Sequence, residues 1–200
     1  MARAALGVGG ALMAHANRGR WLEDLLARVH ARYALAGARC LRLHPEMRPI
    51  TVRGHAGPVY VPVEGGGGVA DYLVIADGVS WSVDAKSTTE ARWSLDNLHI
   101  TQAAAFDRWI APVGCAFEAG CVVALHGSAA DVWWVPWPAL RPRWRAYLAA
   151  RGSTPRGVPV ARGLASLSAD DLDEIGRSCP GGDWLPAAQS LLTRSCPDAF

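Results

Sequence analysis

The stretch Asp71–Gln102 reads DYLVIADGVSWSVDAKSTTEARWSLDNLHITQ, and its first half predicts a β-hairpin. Two runs rich in β-branched and aromatic residues flank Asp77-Gly78, and an Asp-Gly pair between such runs is a strong signal for a two-residue turn. Because the turn fixes the register of the two strands, four pairs of residues should face each other: Ala76 with Val79, Val74 with Trp81, Tyr72 with Val83, and Asp71 with Asp84.

This pairing brings two carboxylates and one ammonium together. Asp71 and Asp84 would have Cβ atoms about 4.5–5.5 Å apart in a regular pair. Lys86 lies two residues after Asp84, so its side chain leaves the same face of the strand. Such a patch suits Mg²⁺, which is often held by one or two carboxylates, several waters and a substrate phosphate. The spacing alone is equally consistent with an exposed hairpin whose charges are only solvated.

The cations are unevenly distributed between the two basic residue types. Of the 20 basic residues, 19 are arginines and only Lys86 is a lysine, and the net charge is +2. A net charge this small gives no global positive field that would indicate a nucleic-acid partner. A single lysine inside the motif is easier to explain if the chemistry needs an ammonium there, because Arg and Lys are not interchangeable at such a site.

Three ordered blocks of the sequence resemble the RecU-type Holliday junction resolvases and their phage relatives, which belong to the PD-(D/E)xK nuclease superfamily. The blocks are Asn17-Arg18-Gly19 with Leu22-Glu23, Asp71-Tyr72 through Asp84-Ala85-Lys86, and Leu95-Asp96-Asn97-Leu98-His99 with Gln102. The resemblance covers about residues 16–137. One Asp…Asp-x-Lys motif is a weak signal, whereas three blocks in the right order are a specific one.

The resemblance implies a role for each matching side chain. Asp71 and Asp84 would hold Mg²⁺ or Mn²⁺ with the backbone carbonyl of Ala85, and Glu23 would complete the site directly or through water. Lys86 would orient the attacking water and stabilise charge on the phosphate, and Gln102 would support the site or a phosphate. The residues expected to contact DNA are Asn17, Arg18, Arg20, Ser87, Thr88, Arg92 and His99. Without the resemblance, Glu23 is an ordinary acid in the first turn of a helix. The expected DNA contacts are then ordinary polar groups of solvated loops and helices.

The resemblance also implies the fold and the assembly. It predicts a restriction-endonuclease-like α/β domain in which helices 17–36 and 97–110 flank a central mixed β-sheet. The strands would lie near residues 38–44, 69–76, 79–86, 120–126 and 131–136. The activity would be resolution of four-way DNA junctions by paired symmetric nicks in recombination and repair. Paired nicks imply a two-fold homodimer, with a recombinase as a further candidate partner.

Two features depart from the family pattern. Ile50–Val63 is predicted as strand, turn and strand at the position of the family's stalk, which enters the centre of the junction, but here it is short and less basic. Val69-Ala70 replaces the hydroxyl residues that often precede the first aspartate. Two alternatives therefore stay open: a repair or restriction-type PD-(D/E)xK nuclease acting on other DNA, and a non-cleaving junction-binding scaffold.

The remaining sequence predicts three segments: a flexible arm at 1–16, the nuclease domain at 17–150, and an extension at 151–200 packed on that domain or loosely attached. The arm resembles a signal peptide, but three glycines weaken its apolar run. Five cysteines without a Cys-x-x-Cys pair favour reduced thiols in a cytoplasmic protein. No apolar run approaches the roughly 20 residues needed to cross a bilayer.

Tryptophans and arginines are concentrated between residues 131 and 151. Residues 131–137 contain three tryptophans, and a predicted helix follows with several arginines. Arginine beside aromatic rings suits a nucleic-acid surface. It suits equally a set of core tryptophans beside a solvated helix face, and the sequence does not decide between the two.

Overall fold

The structure is a computed structural model that describes residues 20–43, 47–50, 59–62, 70–110, 117–153 and 160–195. The predicted arm at 1–16, Asn17 and Arg18 lie outside these ranges. Helices are α1 Arg20–Leu35, α2 Ile100–Ile110, α3 Trp137–Ser153, α4 Arg162–Ala165, α5 Ala169–Ile175 and α6 Trp184–Ser195. Strands are β1 Arg39–Arg42, β2 Met47–Ile50, β3 Val59–Pro62, β4 Tyr72–Ala76, β5 Val79–Ser87, β6 Arg92–Ser94, β7 Phe117–Ala124, β8 Val132–Pro136, β9 Ser166–Ser168 and β10 Arg177–Ser178.

The hairpin of β4 and β5 has the predicted turn and register. Asp77 and Gly78 have φ angles of 49° and 76°, the left-handed conformation that both central residues of a type I′ turn require. The observed pairs include Ala76 with Val79, Val74 with Trp81, and Tyr72 with Val83. The dipeptide at the turn therefore determines which side chains of β5 point to each face of the sheet.

The central sheet is mixed, as predicted. Its six strands have the order β1-β4-β5-β7-β8-β10. β5 and β7 are parallel, and the other neighbouring strands pair antiparallel. A parallel pair needs a crossover connection, and α2 lies in the one that joins β5 to β7. The carboxyl ends of β5 and β7 therefore meet at one edge of the sheet.

Helices cover both faces of this sheet, which confirms the predicted α/β class. One hydrophobic cluster joins α1 and α6 to the sheet, and we call this side the α1 face. A second cluster joins α2 and α3 to the opposite side, the α2 face. Along β5, Val79, Trp81 and Val83 belong to the α1 face. Since side chains alternate along a strand, Asp84 and Lys86 point to the α2 face.

The observed elements begin and end close to the predicted ones, with additions. The helix predicted from residue 97 begins at Ile100, because Leu95–Asn97 forms a 3-10 turn in which the Ser94 side chain accepts from the Asp96 N–H. The strand, turn and strand predicted at Ile50–Val63 correspond to an antiparallel ladder of β2 with β3, which begins earlier, at Met47. The predicted turn lies outside the described residues. The short strands β6, β9 and β10 were not predicted.

The tryptophan- and arginine-rich region belongs to the core and its covering helices. Seven of the nine tryptophans are buried, among them Trp133, Trp134, Trp137 and Trp144. Each arginine that α3 contributes to this region has an acidic partner: Arg141 with Asp107 at 3.1 Å, Arg143 with Asp171 at 3.3 Å and with Glu174 at 2.5 Å, Arg145 with Asp107 at 3.5 Å, and Arg151 with Asp96. These contacts favour the core interpretation over a nucleic-acid surface.

The described part of the C-terminal segment contributes to the same sheet and core. β10 pairs antiparallel with β8, and Trp184 of α6 is fully buried in the cluster on the α1 face. The predicted boundary at residue 150 stays a prediction. Among the described helices, none is both long and apolar enough to cross a membrane. Cys40, Cys121 and Cys179 have free thiols.

Acidification should destabilise the protein through His30. This buried side chain accepts a hydrogen bond from Trp184 Nε1 at 3.0 Å, and burial lowers its pKa to about 4. The unfolded chain binds the proton at a higher pH, near 6.5, so the free energy of unfolding should fall by about 3 kcal/mol as pH drops from about 6.5 to about 4. Urea unfolding across this range measures the slope.

His30→Gln is the matched variant, because glutamine keeps an acceptor for Trp184 and does not titrate. Carboxylates elsewhere contribute to the acid response of both proteins, so the difference between the two curves isolates His30. Identical pH dependence in the parent and the variant would contradict this assignment.

Candidate active site

The regular pairing of β4 with β5 ends at Tyr72 and Val83, so the predicted pairing of Asp71 with Asp84 is not part of the ladder. The Asp71 N–H donates to the Val83 carbonyl at 3.0 Å, and the Leu43 N–H donates to the Asp71 carbonyl at 2.8 Å. Leu43 therefore continues the pairing of β1 with β4, whereas Asp71 bonds to the partner of Tyr72; its carboxylate is still near enough to raise the pKa of Asp84. Asp71 Oδ2 accepts a hydrogen bond from the Ala85 N–H at 2.8 Å. This bond holds the Asp71 carboxylate against β5.

Asp84 and Lys86 form a close ion pair on the α2 face. The side chain of Asp84 is fully buried, and its Oδ2 lies 2.7 Å from Lys86 Nζ. Asp84 Oδ2 makes no aligned hydrogen bond within the described part of the chain, so the ion pair is its main compensation. Two-residue spacing on one strand accounts for the contact, as the sequence predicted.

Gln102 connects this pair to α2. Its Nε2 donates to Asp84 Oδ1 at 3.1 Å, while its Oε1 accepts from Lys86 Nζ at 3.3 Å and from the His99 N–H at 3.0 Å. The amide thus has a partner at both ends, and each partner fits its donor or acceptor atom. Gln102 sits in the first turn of α2, so the start of this helix holds the carboxylate and the ammonium in place.

The electrostatics of the pair reflect its burial. Burial raises the pKa of Asp84, the Lys86 charge opposes this rise, and the nearby Asp71 carboxylate adds to it. Burial alone would lower the pKa of Lys86, but the Asp84 carboxylate outweighs that effect and the net change is upward. Two carboxylates and one ammonium leave the site with one excess negative charge when all three groups are ionised.

The donor atoms at this place fit a hard divalent cation. Asp71 and Asp84 offer carboxylate oxygens, and Ala85 between Asp84 and Lys86 offers a backbone carbonyl. Within residues 20–43, 70–110, 117–153 and 160–195, no group of three or more His, Cys, Asp or Glu side chains is arranged as a metal site. Two carboxylates are nevertheless sufficient for Mg²⁺, because this ion keeps several waters.

Glu23 lies in the first turn of α1 and is held by Arg42 of β1 in an ion pair. Both side chains are partly exposed. Sequence analysis did not single out Arg42, because its position depends on the pairing of β1 with β4, for which no local motif exists. The assignment of Glu23 to the site stays a prediction.

The described DNA-contact candidates differ in how far the fold already engages them. Arg20 is exposed at the start of α1, and Ser87 ends β5. Thr88 Oγ1 accepts from the Glu90 N–H at 3.1 Å, and His99 Nδ1 lies 2.9 Å from Thr101 Oγ1. Contact with DNA stays a prediction for all of them.

Arg92 is the candidate most engaged within the fold. Its guanidinium donates to Ser166 Oγ at 2.9 Å, to the Ser166 carbonyl at 2.6 Å and to Asp171 Oδ2 at 3.1 Å. These bonds join β6 to β9 and to the start of α5. The contacts favour a structural role for this arginine.

Comparison with known proteins gives little at the level of sequence. No family model matches the chain, and no curated protein matches it. Among solved structures, thirteen chains match. One of them is Hjc, a Holliday junction resolvase from the archaeal hyperthermophile Archaeoglobus fulgidus, with 12% identity, a TM-score of 0.42, and coverage of 80% of this chain and 93% of that chain.

Proposed function

We propose that this protein is a metal-dependent endodeoxyribonuclease of the RecU type that resolves four-way DNA junctions. The observation that carries the proposal is the buried cluster of Asp84, Lys86 and Gln102 beside Asp71. Burying a carboxylate and an ammonium costs free energy. Gln102 of α2 uses both ends of its amide to hold these two charged groups, which indicates that their positions matter. A solvated hairpin, the alternative left by the sequence, would expose these groups.

Asp71, Asp84 and the carbonyl of Ala85 would hold Mg²⁺ or Mn²⁺, with Glu23 reaching the site directly or through water. When bound, such an ion supplies a water of lowered pKa and offsets the charge that develops on a phosphate. Lys86 Nζ would orient the attacking water through one of its three N–H donors. Gln102 would hold the Asp84 carboxylate and the Lys86 ammonium in position, since its amide contacts both.

Substrate contacts would surround this centre. Arg20 at the start of α1 and the polar group Ser87, Thr88 and His99 near the ends of β5 and α2 would bind phosphates, with Asn17 and Arg18 beside them. Phosphate contacts position the nucleic acid without reading its sequence. Binding should weaken as salt rises, because each neutralised phosphate releases counterions.

Resolution of a junction needs two nicks in opposed strands, so the proposed assembly is a two-fold homodimer with one site in each subunit. The protein would act in DNA recombination and repair in the cytoplasm, with a recombinase as a candidate partner. The segment that contains β2 and β3 is short compared with the family's stalk. Junction selectivity therefore has to be tested separately from nuclease activity.

A nicking assay tests the proposal. Purified protein is incubated with a synthetic four-way junction, a Y-fork and a linear duplex of equal length, with Mg²⁺, with Mn²⁺ and with EDTA. We expect symmetric cuts at the junction that need the metal. Equal cutting of all three substrates would leave the nuclease and remove junction selectivity. Tight junction binding without cutting under either metal would replace the enzyme with a non-cleaving scaffold.

A further inference from the structure

A second concave site lies apart from the acid–lysine cluster, where Trp81 and Trp134 of the α1 face meet α3, α5 and α6. This cavity has a volume of about 540 Å³ and is lined by residues from β5, β7, β8, α3, α5 and α6, including Trp81, Trp134, Glu118 and Glu174. We call it the Glu118 cavity. Trp81 precedes Asp84 by three residues, about 10 Å along β5, and points to the α1 face. Cavities of this volume are typical of small-ligand sites.

The walls of the Glu118 cavity are built by a close approach of β7 to β8. A Cβ on Gly120 would lie 2.4 Å from the Val135 carbonyl oxygen and 2.8 Å from a ring carbon of Trp134. A side chain at position 120 would therefore displace the Trp134 ring or the backbone of β8. Leu191 and Leu192 of α6 and Pro136 at the end of β8 complete a largely apolar lining.

One charged group in this lining lacks a partner within the described residues, whereas Glu174, the other carboxylate of the lining, pairs with Arg143. Glu118 is half-buried, and none of the hydrogen bonds or ion pairs of the described residues involves its carboxylate. Burial raises the pKa of Glu118. An unpaired carboxylate beside aromatic rings is unfavourable on its own, and a bound cation would compensate it.

We propose that the Glu118 cavity binds an ammonium or guanidinium group carried on an apolar body, with the cation paired to Glu118 and the apolar part against Trp81 and Trp134. The source of this chemistry is either a small organic amine or the basic side chain of a peptide. The site is independent of the proposed nuclease function, because it shares no residue with the acid–lysine cluster.

The indole N–H signals of the ¹⁵N-labelled protein give a direct test. The chain has nine tryptophans, so Trp81→Phe and Trp134→Phe assign the two signals of the cavity, and Trp93→Phe assigns the reference signal. The probes are 2-phenylethylamine, the neutral 2-phenylethanol, and the peptide N-acetyl-Leu-Arg-Leu-amide. We expect saturable shifts of the Trp81 and Trp134 signals, with no shift of Trp93 on the α2 face, and the amine should bind about tenfold more tightly than the alcohol.

Glu118→Gln should remove this tenfold preference for the cation while the alcohol binds as before. Tighter binding of the amine or of the peptide identifies the source of the ligand. Ala139→Leu, at the α3 wall of the cavity, should abolish the shifts by filling the space. The proposal is overturned if neither cationic probe moves the two signals up to about 10 mM, if Glu118→Gln keeps the preference, or if binding survives Ala139→Leu. The measurement uses neither DNA nor metal, so the outcome is separate from that of the nicking assay.

Discussion

Asp84→Asn should reduce metal-dependent nicking by about 10³-fold or more, because it removes a buried carboxylate from the centre of the proposed site. Asparagine has nearly the same shape and can still accept a hydrogen bond from Gln102. The loss would therefore come from charge and not from packing. Initial rates of junction nicking under saturating Mg²⁺ measure it. Asp170→Asn, at an exposed carboxylate of α5, is the matched control and should nick at the parental rate.

The single substitution leaves Lys86 with an ammonium that is mostly buried and has lost its counter-ion. Breaking a buried pair on one side costs stability, whereas replacing both charges by uncharged groups of similar volume is often neutral or stabilising. We therefore expect Asp84→Asn to lower the melting temperature and Asp84→Asn with Lys86→Met to restore it. Both variants should be inactive. A folded double variant that still nicks would show that the cluster has a structural role alone.

The sequence predicted the hairpin and its charges because the signals are local. The Asp77-Gly78 turn fixes the register as far as Tyr72 and Val83, and alternation then places Asp84 and Lys86 on one face of β5. The family resemblance indicated that Gln102 supports the site or a phosphate, but not that its amide contacts Asp84. Helical periodicity shows that this amide lies near an apolar stripe, but it does not show what the stripe packs against.

Contacts between distant segments had no such signal. Arg92 contacts Asp171 across 79 residues, and Trp184 contacts His30 across 154. β10 has two residues, which is too short for any alternating pattern. A pattern of period two or 3.6 identifies an element and its buried side, whereas the partner of that side depends on the whole chain. For this reason the sequence left open whether the arginines of α3 belong to a nucleic-acid surface or to a solvated helix face.

Trp184→Ala should destabilise the protein by about 4 kcal/mol, since removing a fully buried tryptophan costs about 3–5 kcal/mol. The ring of Trp184 stacks on Trp134 at a centroid distance of 5.1 Å and meets Trp81 edge-on at 6.3 Å. Its N–H donates to His30, so the truncation also leaves a buried acceptor without its donor. Single domains have only about 5–15 kcal/mol of stability, and the variant should be partly unfolded at 37 °C.

Urea unfolding of the parent, Trp184→Ala and Trp184→Phe separates packing from hydrogen bonding. Phenylalanine keeps most of the ring contact and loses the N–H, so we expect it to cost about 1–2 kcal/mol. This comparison also tests the extension at 151–200 as a structural unit. If the segment were loosely attached, Trp184→Ala would cost less than about 1 kcal/mol, as exposed substitutions do. A cost near 4 kcal/mol in one cooperative transition would mean that the sheet and α6 unfold together. The proposed nuclease centre would then depend on a segment that contributes no residue to it.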